Sequence, residues 1–353
     1  MKKIYINGKF FSQRITGTQR YARQLLHEFD NLLSTENRWN LEIEVLLPRS
    51  VQPLPEYKSL LVQTVGWMNG TSWEQLELPQ YCHGHLLFTL SGGAPVLHAR
   101  NVVTIHDAAV VASPSGYSLA YRMWHAGLCR RMARTAQHIF TVSNFSKSEI
   151  VKWYCAPWEK ISVTHLGSDH FSCLAADPSA LARFGISGKY ILAASVQNPN
   201  KNFDRLVQAV CQYNKTSTPL LIAGGSDSNV YRKIKLPDGV RALGYVSDPE
   251  LKALYENAAC FAFPSFYEGF GLPPLEALSS GCPVVLSRAG SLLEIFCDVA
   301  FFCDPFDPED IGKAIQHAVE SPRSNASDLK NFAAKFTWAQ CARQTLEIIQ
   351  DFA

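Results

Sequence analysis

The sequence lacks several features that would assign it to a common class of protein. Its 353 residues contain no apolar run long enough to span a bilayer. The ten cysteines include no Cys-x-x-Cys pair, which argues against a disulfide framework and against a cysteine-rich metal site. Lysine and arginine exceed aspartate and glutamate by only two residues, so the net charge gives no reason to expect a nucleic-acid partner.

A secretory signal is also missing from the N-terminal segment, where two lysines are followed by only a short apolar run and no cleavage site. Half of the cysteines lie among apolar residues, where buried and reduced thiols are common. These are Cys82, Cys129, Cys155, Cys211 and Cys260. We therefore expect a cytoplasmic protein.

The composition is that of a globular protein, with 47% apolar and 18% charged residues, and the length predicts two domains. Runs with strand character alternate with helical patterns in both halves, which favours two α/β domains with parallel sheets. The predicted strands are 3–7, 41–47, 101–105, 138–142 and 161–165, then 190–195, 219–223, 240–243, 260–264 and 283–286. Residues 168–187 read as a connector, so the domains are expected at 1–167 and 168–335.

One segment of the second half carries two carboxylates, Glu268 and Glu276, eight positions apart. Its order of strand, glycine loop, helix and strand predicts a βαβ unit. Gly269 and Gly271 allow the backbone to approach a ligand closely, and the first turn of the helix offers N–H groups to an anion. Carboxylates beside an anion site are suited to ligand hydroxyls instead. A nucleotide sugar, which has a diphosphate and hydroxyl-rich rings, fits both requirements.

Two further side chains follow predicted strands. Lys201 begins a helix, where it is suited to a diphosphate leaving group, although a solvated lysine is the alternative. A cation there opposes the helix dipole, which favours the functional interpretation. His106 and Asp107 end a strand in the first half, where ligand contacts cluster in open α/β sheets. The alternative for His106 is a satisfied core histidine.

Two features of the first half leave their alternatives open. Thr16, Gly17 and Thr18 are predicted to form a glycine loop before a helix at 21–29, which either meets a phosphate or is only a tight turn. The stretch 121–134 is helical, basic and interleaved with apolar residues. It either touches an anionic membrane surface or is the charged face of an ordinary amphipathic helix.

Taken in order, these motifs resemble the large family of retaining GT-B glycosyltransferases called family four. Glu268 and Glu276 resemble its E-x7-E motif. Further segments resemble its bacterial mannosyltransferase-B-like branch along nearly the whole chain, namely 6–10, 15–22, 73–79, 103–107, 141–146, 198–202 and 336–338. The resemblance implies two Rossmann-like domains that face a cleft, with a C-terminal helix at 336–353 crossing back to the first domain. It also implies that the first domain serves the acceptor and the second binds the nucleotide sugar.

The resemblance also implies roles for individual residues. Glu268 contacts the transferred sugar, Glu276 the ribose and Lys201 the diphosphate, while His106 approaches the sugar from the opposite domain. The backbone donors to sugar and phosphate come from Gly269, Phe270, Gly271 and Leu272. Many relatives have an arginine where this chain has Asn200, and Arg205 is the candidate substitute.

The expected activity is retaining transfer of a hexose, best matched by mannose from GDP-mannose, to a lipid-linked or growing surface saccharide. The acceptor is expected to be linked to polyprenyl diphosphate, as in O-antigen, lipopolysaccharide or exopolysaccharide assembly, with peripheral membrane contact. No cofactor is expected, and the absence of an Asp-x-Asp pair argues against a carboxylate-bound metal. The alternatives are a sugar-nucleotide 2-epimerase on the same fold and a non-catalytic nucleotide-sugar-binding scaffold.

Overall fold

The computed structural model describes residues 1–194, 198–216, 218–224, 236–321 and 326–353. The chain forms two compact units. The first unit contains Met1–Gly167 together with Thr337–Ala353, and the second contains Ser168–Phe336.

The first unit is built on a seven-stranded parallel sheet in the order β3-β2-β1-β4-β5-β6-β7. The strands are β1 Lys2–Asn7, β2 Leu41–Leu47, β3 Leu61–Thr64, β4 Leu86–Thr89, β5 Asn101–Thr104, β6 His138–Thr141 and β7 Ile161–Val163. Every residue of β4, β5 and β6 is buried, because a parallel sheet is covered on both faces.

Helices cover this sheet and connect its strands. They are α1 Gly17–Thr35, α2 Gly70–Ser72, α3 Leu78–Tyr81, α4 Ala109–Ala112, α5 Leu119–Thr135 and α6 Asn144–Tyr154. Short 3-10 turns occur at Gly8–Ser12, Pro114–Gly116 and Trp158–Lys160, and a π-helical turn at Trp73–Glu77.

The last helix of the chain, Trp338–Ile349, belongs to the first unit and packs on α1. The fully buried Trp338 ring lies 6.0 Å from the ring of Tyr21. At the other end of α1, Arg343 Nη2 lies 2.7 Å from Glu36 Oε1. The predicted return of the C-terminal helix to the first domain is therefore observed.

The second unit has a six-stranded parallel sheet in the order β10-β9-β8-β11-β12-β13. The strands are β8 Ile191–Ala194, β9 Leu220–Ala223, β10 Val240–Gly244, β11 Cys260–Phe263, β12 Val284–Ser287 and β13 Ala300–Cys303. Its described helices are α7 Asp169–Ser172, α8 Ala180–Arg183, α9 Phe203–Gln212, α10 Asp248–Asn257, α11 Leu272–Ser279, α12 Leu292–Phe296, α13 Pro308–Glu320 and α14 Ala326–Ala333; Trp338–Ile349 is α15. A 3-10 turn, Pro199–Lys201, lies between β8 and α9.

The order of strands reverses once in each sheet. The chain runs outward in one direction from β8 through β10, and in the other from β11 through β13. Crevices that bind ligands in open α/β sheets form at such reversal points, outside the carboxyl ends of the strands. The points are β1/β4 in the first sheet and β8/β11 in the second.

The structure corrects three details of the sequence interpretation. Residues 17 and 18 are not a loop, because α1 begins at Gly17. Thr16 is extended and forms a capping box with Gln19, which satisfies the first N–H groups of the helix four residues earlier than the apolar pattern indicates. Cys155 and Cys211 are exposed rather than buried. The strand predicted at 190–195 begins at Ile191, and the last residue of that prediction, Ser195, lies outside the described residues.

Within the described ranges, no helix combines the length and apolar character needed to cross a bilayer.

Candidate functional site

An ion pair stands at the reversal point of the second sheet. Lys201 Nζ lies 2.6 Å from Glu268 Oε1, and only 18% and 12% of the two side chains are exposed. Lys201 follows β8 and Glu268 follows β11, which are hydrogen-bonded neighbours. Because parallel strands bring their carboxyl ends to one edge, two residues that are 67 positions apart in sequence meet there.

The loop that carries Lys201 is anchored by Asn202. This residue adopts a left-handed conformation with φ of 59°, which asparagine tolerates better than most residues. Its side-chain amide donates to the carbonyls of Pro264 at 3.0 Å and Pro305 at 2.7 Å. One buried side chain therefore ties the loop after β8 to the connections that follow β11 and β13.

The backbone of Glu268 is held by the turn between β12 and α12. Ser291 donates to the Glu268 carbonyl from both its N–H and its hydroxyl, each at 3.1 Å. Gly290 packs directly against Glu268 with φ of 62°, and a Cβ at this position would lie 2.5 Å from the Glu268 carbonyl oxygen. Only glycine permits this approach, so the turn fixes the position of the Glu268 backbone from which the carboxylate projects.

The second carboxylate projects from α11. Gly271 caps this helix with φ of 105°, and prolines occupy its first turn as predicted. A Cβ on Gly271 would lie 2.8 Å from side-chain atoms of both Leu292 and Phe296, so the glycine is required by packing as well as by conformation. Glu276 lies one turn into the helix and is 5% exposed.

A histidine that the sequence analysis missed lies beside Glu276. His170 Nε2 is 3.4 Å from Glu276 Oε1, and 9% and 7% of the two side chains are exposed. His170 belongs to α7, in the stretch interpreted as a connector, and α7 packs against α11. Gly290, Ser291 and Asn202 were missed as well. Among these, only the repeated asparagines around Lys201 gave a signal in the sequence.

The two remaining donor-side candidates, Asn200 and Arg205, differ from each other in their contacts. Asn200 is buried, and its carbonyl accepts from the Phe266 N–H at 2.8 Å, so its backbone joins the two loops of the site. The Arg205 guanidinium lies 5.3 Å from the Phe266 ring and 5.8 Å from the Phe306 ring. The two rings pack against each other with their centroids 4.9 Å apart, so the guanidinium lies beside an aromatic pair.

In the first unit, His106 follows β5 and is held by Leu90. Its Nε2 lies 3.1 Å from the Leu90 carbonyl oxygen, and because a carbonyl only accepts, Nε2 carries the proton. Burial lowers the pKa of His106 to about 4, against a smaller opposing effect of this hydrogen bond. The imidazole is therefore neutral at physiological pH, with Nδ1 as a potential acceptor for a hydroxyl.

The other candidates of this unit lie at helix starts. The Asp107 carboxylate accepts from the Ala109 N–H at 2.8 Å, which caps the short helix α4. Gly17 and Thr18 are the first two residues of α1, and a Cβ on Gly17 would meet nothing within 4 Å. This helix start is therefore open around Gly17.

The described part of the chain contains no group of three histidine, cysteine, aspartate or glutamate side chains placed to hold a metal ion. In the second unit Lys201 pairs with Glu268, and Glu276 lies one turn into the helix that follows the same loop. The arrangement pairs one cation with carboxylates at the edge of a parallel sheet, which suits a ligand with both anionic and hydroxyl groups.

Two family profiles match the two halves of the chain. The profile of Glycosyltransferase Family 4 matches residues 15–170, and that of Glycosyl transferases group 1 matches residues 184–336. Both matches agree with the order of motifs in the sequence.

Similar proteins of known name and structure extend these matches. O-antigen chain mannosyltransferase B of Escherichia coli is 32% identical over 70% of this chain and 69% of that protein. O-antigen chain mannosyltransferase RfbU of Salmonella typhimurium strain LT2 is 26% identical over 79% and 77%. The structure of sucrose-phosphate synthase from Thermosynechococcus elongatus superposes with a TM-score of 0.76, covering 99% of both chains at 18% identity.

The superposition confirms the predicted GT-B fold, which fits the two parallel-sheet units. The matching profiles and the level of identity show that the chain belongs to glycosyltransferase family 4 and is a glycosyltransferase.

Proposed function

We propose that this protein is a retaining, metal-independent mannosyltransferase that uses GDP-mannose and extends a saccharide linked to polyprenyl diphosphate. The observation that carries the proposal is the Lys201–Glu268 pair at the reversal point of the second sheet, with Glu276 one helical turn beyond the glycine loop. These groups suit the three chemical parts of a nucleotide sugar.

Lys201 is proposed to meet the diphosphate. Its ammonium pairs with Glu268, which precedes the start of α11 by four residues. The ammonium and the helix N-terminus can both stabilise the negative charge that grows on a leaving diphosphate. Positive charge from a lysine and a helix N-terminus takes the part that a divalent metal has in other transferases. In this proposal the leaving phosphate itself helps to deprotonate the acceptor hydroxyl, so the new bond forms on the face from which the nucleotide departs.

Glu268 and Glu276 are proposed to hold the two sugar rings. A carboxylate accepts hydrogen bonds from hydroxyls, and both groups are held by the fold rather than by solvent-exposed loops. His106, neutral and with Nδ1 as an acceptor, is proposed to receive a hydroxyl of the transferred hexose. This division of roles follows the family pattern residue by residue.

The relatives' names support mannose as the transferred sugar and an O-antigen chain as the acceptor class. Both relatives described above are O-antigen chain mannosyltransferases, one of them 32% identical. GDP-mannose is the donor that this sugar suggests.

Peripheral contact with an anionic membrane is proposed for α5. This helix has four arginines and no acidic residue. Leu119, Tyr121, Met123 and Trp124 are all exposed, at 66%, 43%, 69% and 52%. Exposed apolar and aromatic side chains beside arginines are the composition of helices that lie in the membrane interface. The exposure of these side chains favours this interpretation over an ordinary amphipathic helix packed on the protein.

Replacing Glu276 with alanine tests the donor site. An unpaired ribose hydroxyl is worth roughly 1–3 kcal/mol, so the dissociation constant for GDP-mannose, measured by calorimetry, should rise about 5- to 150-fold. Glu309→Ala is the matched control, because Glu309 is a carboxylate in the same unit whose described partner is Lys313. Unchanged donor affinity and transfer kinetics in Glu276→Ala would remove the site assignment. Full loss of activity in EDTA would contradict the metal-free mechanism.

A further inference from the structure

The first unit contains a pocket that none of the roles above uses. It lies beside α1, between the turn that follows β1 and the segment that joins β2 to β3. Its volume is about 340 Å³, within the range of sites for small ligands. The pocket is lined by Phe11, Arg23, Gln24, His27, Pro55, Glu56 and Tyr57.

The walls of this pocket come from three parts of the chain. Phe11 stands in the 3-10 turn after β1, and Arg23 and its neighbours project from the exposed side of α1. The segment with Tyr57 follows β2 and is pinned to α1 by Asp30. The Asp30 carboxylate accepts from three successive N–H groups, those of residues 58, 59 and 60, at 2.9, 2.6 and 3.1 Å. These hydrogen bonds hold the Tyr57 wall of the pocket in place against α1.

Arg23 provides an oriented donor inside the pocket. Its guanidinium lies over the Phe11 ring, 4.7 Å from the ring centroid, in a cation–π contact. Its Nε is buried, and no hydrogen-bond partner for it exists among the residues that the structure describes. A buried N–H without a partner is costly, and a ligand oxygen in the pocket would relieve that cost.

The remaining polar groups can both donate and accept. Gln24 has an amide with both functions, Glu56 accepts, and His27 has one of each when neutral. Burial raises the pKa of Tyr57 to about 12, although the charge of Arg23 acts in the opposite direction. Its phenol therefore keeps its proton at neutral pH and can donate as well as accept.

The charge of the pocket distinguishes between two kinds of ligand. A phosphate would gain from Arg23 but would be repelled by Glu56. A neutral ligand rich in hydroxyls meets no such conflict, and the ring of Tyr57 offers an apolar face to its C–H groups. The combination of a forked cation, a carboxylate, an amide and aromatic rings therefore fits a pyranose better than an anion.

We propose that this pocket binds a hexose unit of the acceptor saccharide. The proposal rests on the transferase function and deepens it, because it assigns the acceptor a binding site within the first unit. The site is distinct from the family's glutamate pair and lies on a different unit.

The test uses α-linked mannotriose as the probe and the whole protein, with binding measured by ligand-observed NMR. Gln24→Ala and Glu56→Ala each remove a polar group from the pocket while leaving the core intact. Each should weaken binding of the trisaccharide about tenfold, since a lost hydrogen bond to a ligand is worth roughly 1.4 kcal/mol. Both should leave the dissociation constant for GDP-mannose unchanged.

Ser187→Ala is the matched control, because Ser187 lines a pocket of about 260 Å³ at the amino edge of the second sheet. It should bind the trisaccharide like the unaltered protein. Equal binding by all variants, no binding by the unaltered protein, or displacement of the trisaccharide by inorganic phosphate would each overturn the assignment. Donor binding is measured separately. If the unaltered protein does not bind GDP-mannose, the proposed donor is wrong, while the trisaccharide measurements still test the pocket.

Discussion

Replacing Gly290 with alanine tests whether a turn outside the glutamate motif positions Glu268. At φ of 62°, any residue with a Cβ is disfavoured by about 1–2 kcal/mol. The new Cβ would also lie 2.5 Å from the Glu268 carbonyl oxygen and 2.8 Å from its nitrogen, whereas real Cβ contacts are essentially never below 3.0 Å. The Glu268 backbone and the turn at Gly290 must therefore move apart by at least 0.5 Å, the difference between 3.0 and 2.5 Å.

A displacement of this size has a calculable effect on catalysis. A misplacement of 1 Å at a reacting centre costs on the order of 100-fold in rate, so half that distance should cost about tenfold. The measurement is kcat for release of GDP from GDP-mannose in the presence of acceptor. Donor affinity should fall less than kcat, because the groups around Glu276 are not moved.

Gly239→Ala provides the control for backbone strain alone. Gly239 has φ of 82°, and a Cβ there would meet nothing within 4 Å. In urea denaturation both variants should lose the stability that the left-handed conformation costs, and Gly290→Ala should lose more because of its clash with Glu268. Only Gly290→Ala should lose kcat. Equal kcat in the two variants would refute the claim that the turn at Gly290 positions the carboxylate.

Two further predictions concern charge. Lys201→Met should lower kcat about 100-fold, because it removes the charge proposed to stabilise the leaving diphosphate. Lys313 is exposed, so Lys313→Met should have no effect on kcat. A similar loss in both variants would contradict the assignment. His106 and His138 both have a pKa lowered by burial to about 4. Between pH 6.5 and 4 these histidines therefore bind protons in the unfolded chain but not in the folded chain. The free energy of unfolding should fall over this range by up to about 3 kcal/mol per histidine, and the full contribution should be seen above pH 6.5. His138→Phe should remove part of this acid dependence in urea titrations, and an unchanged dependence would refute the burial argument.

The sequence analysis placed both Lys201 and Glu268 after predicted strands of one domain, although it did not predict that they form an ion pair. Each residue follows a short apolar run, and parallel strands bring such ends to one edge. Three strands were not predicted, for different reasons. β3 is a half-exposed edge strand, while β4 and β13 are runs of four residues that periodicity cannot separate from helix or loop.

The parts of the site that sequence reasoning missed are contacts between segments distant in sequence. His170 lies in a stretch of short helices, and nothing near it in sequence indicates that α7 packs against the helix of Glu276. Gly290 looks like an ordinary turn glycine until the Glu268 backbone is found against it. The contacts of Arg205 with aromatic rings were equally hidden, because the two rings come from two other connections of the sheet.

The double anchor at Asn202 limits how the site can respond to a substrate. The side-chain amide of Asn202 donates to two proline carbonyls, so an outward movement of this loop would break both hydrogen bonds at once. Substrate entry should therefore leave the main chain in place and rotate only the lysine side chain from carboxylate to phosphate. A preformed cradle of this kind binds with little reorganisation, and altered sugar preference should then arise from substitutions elsewhere around the rings.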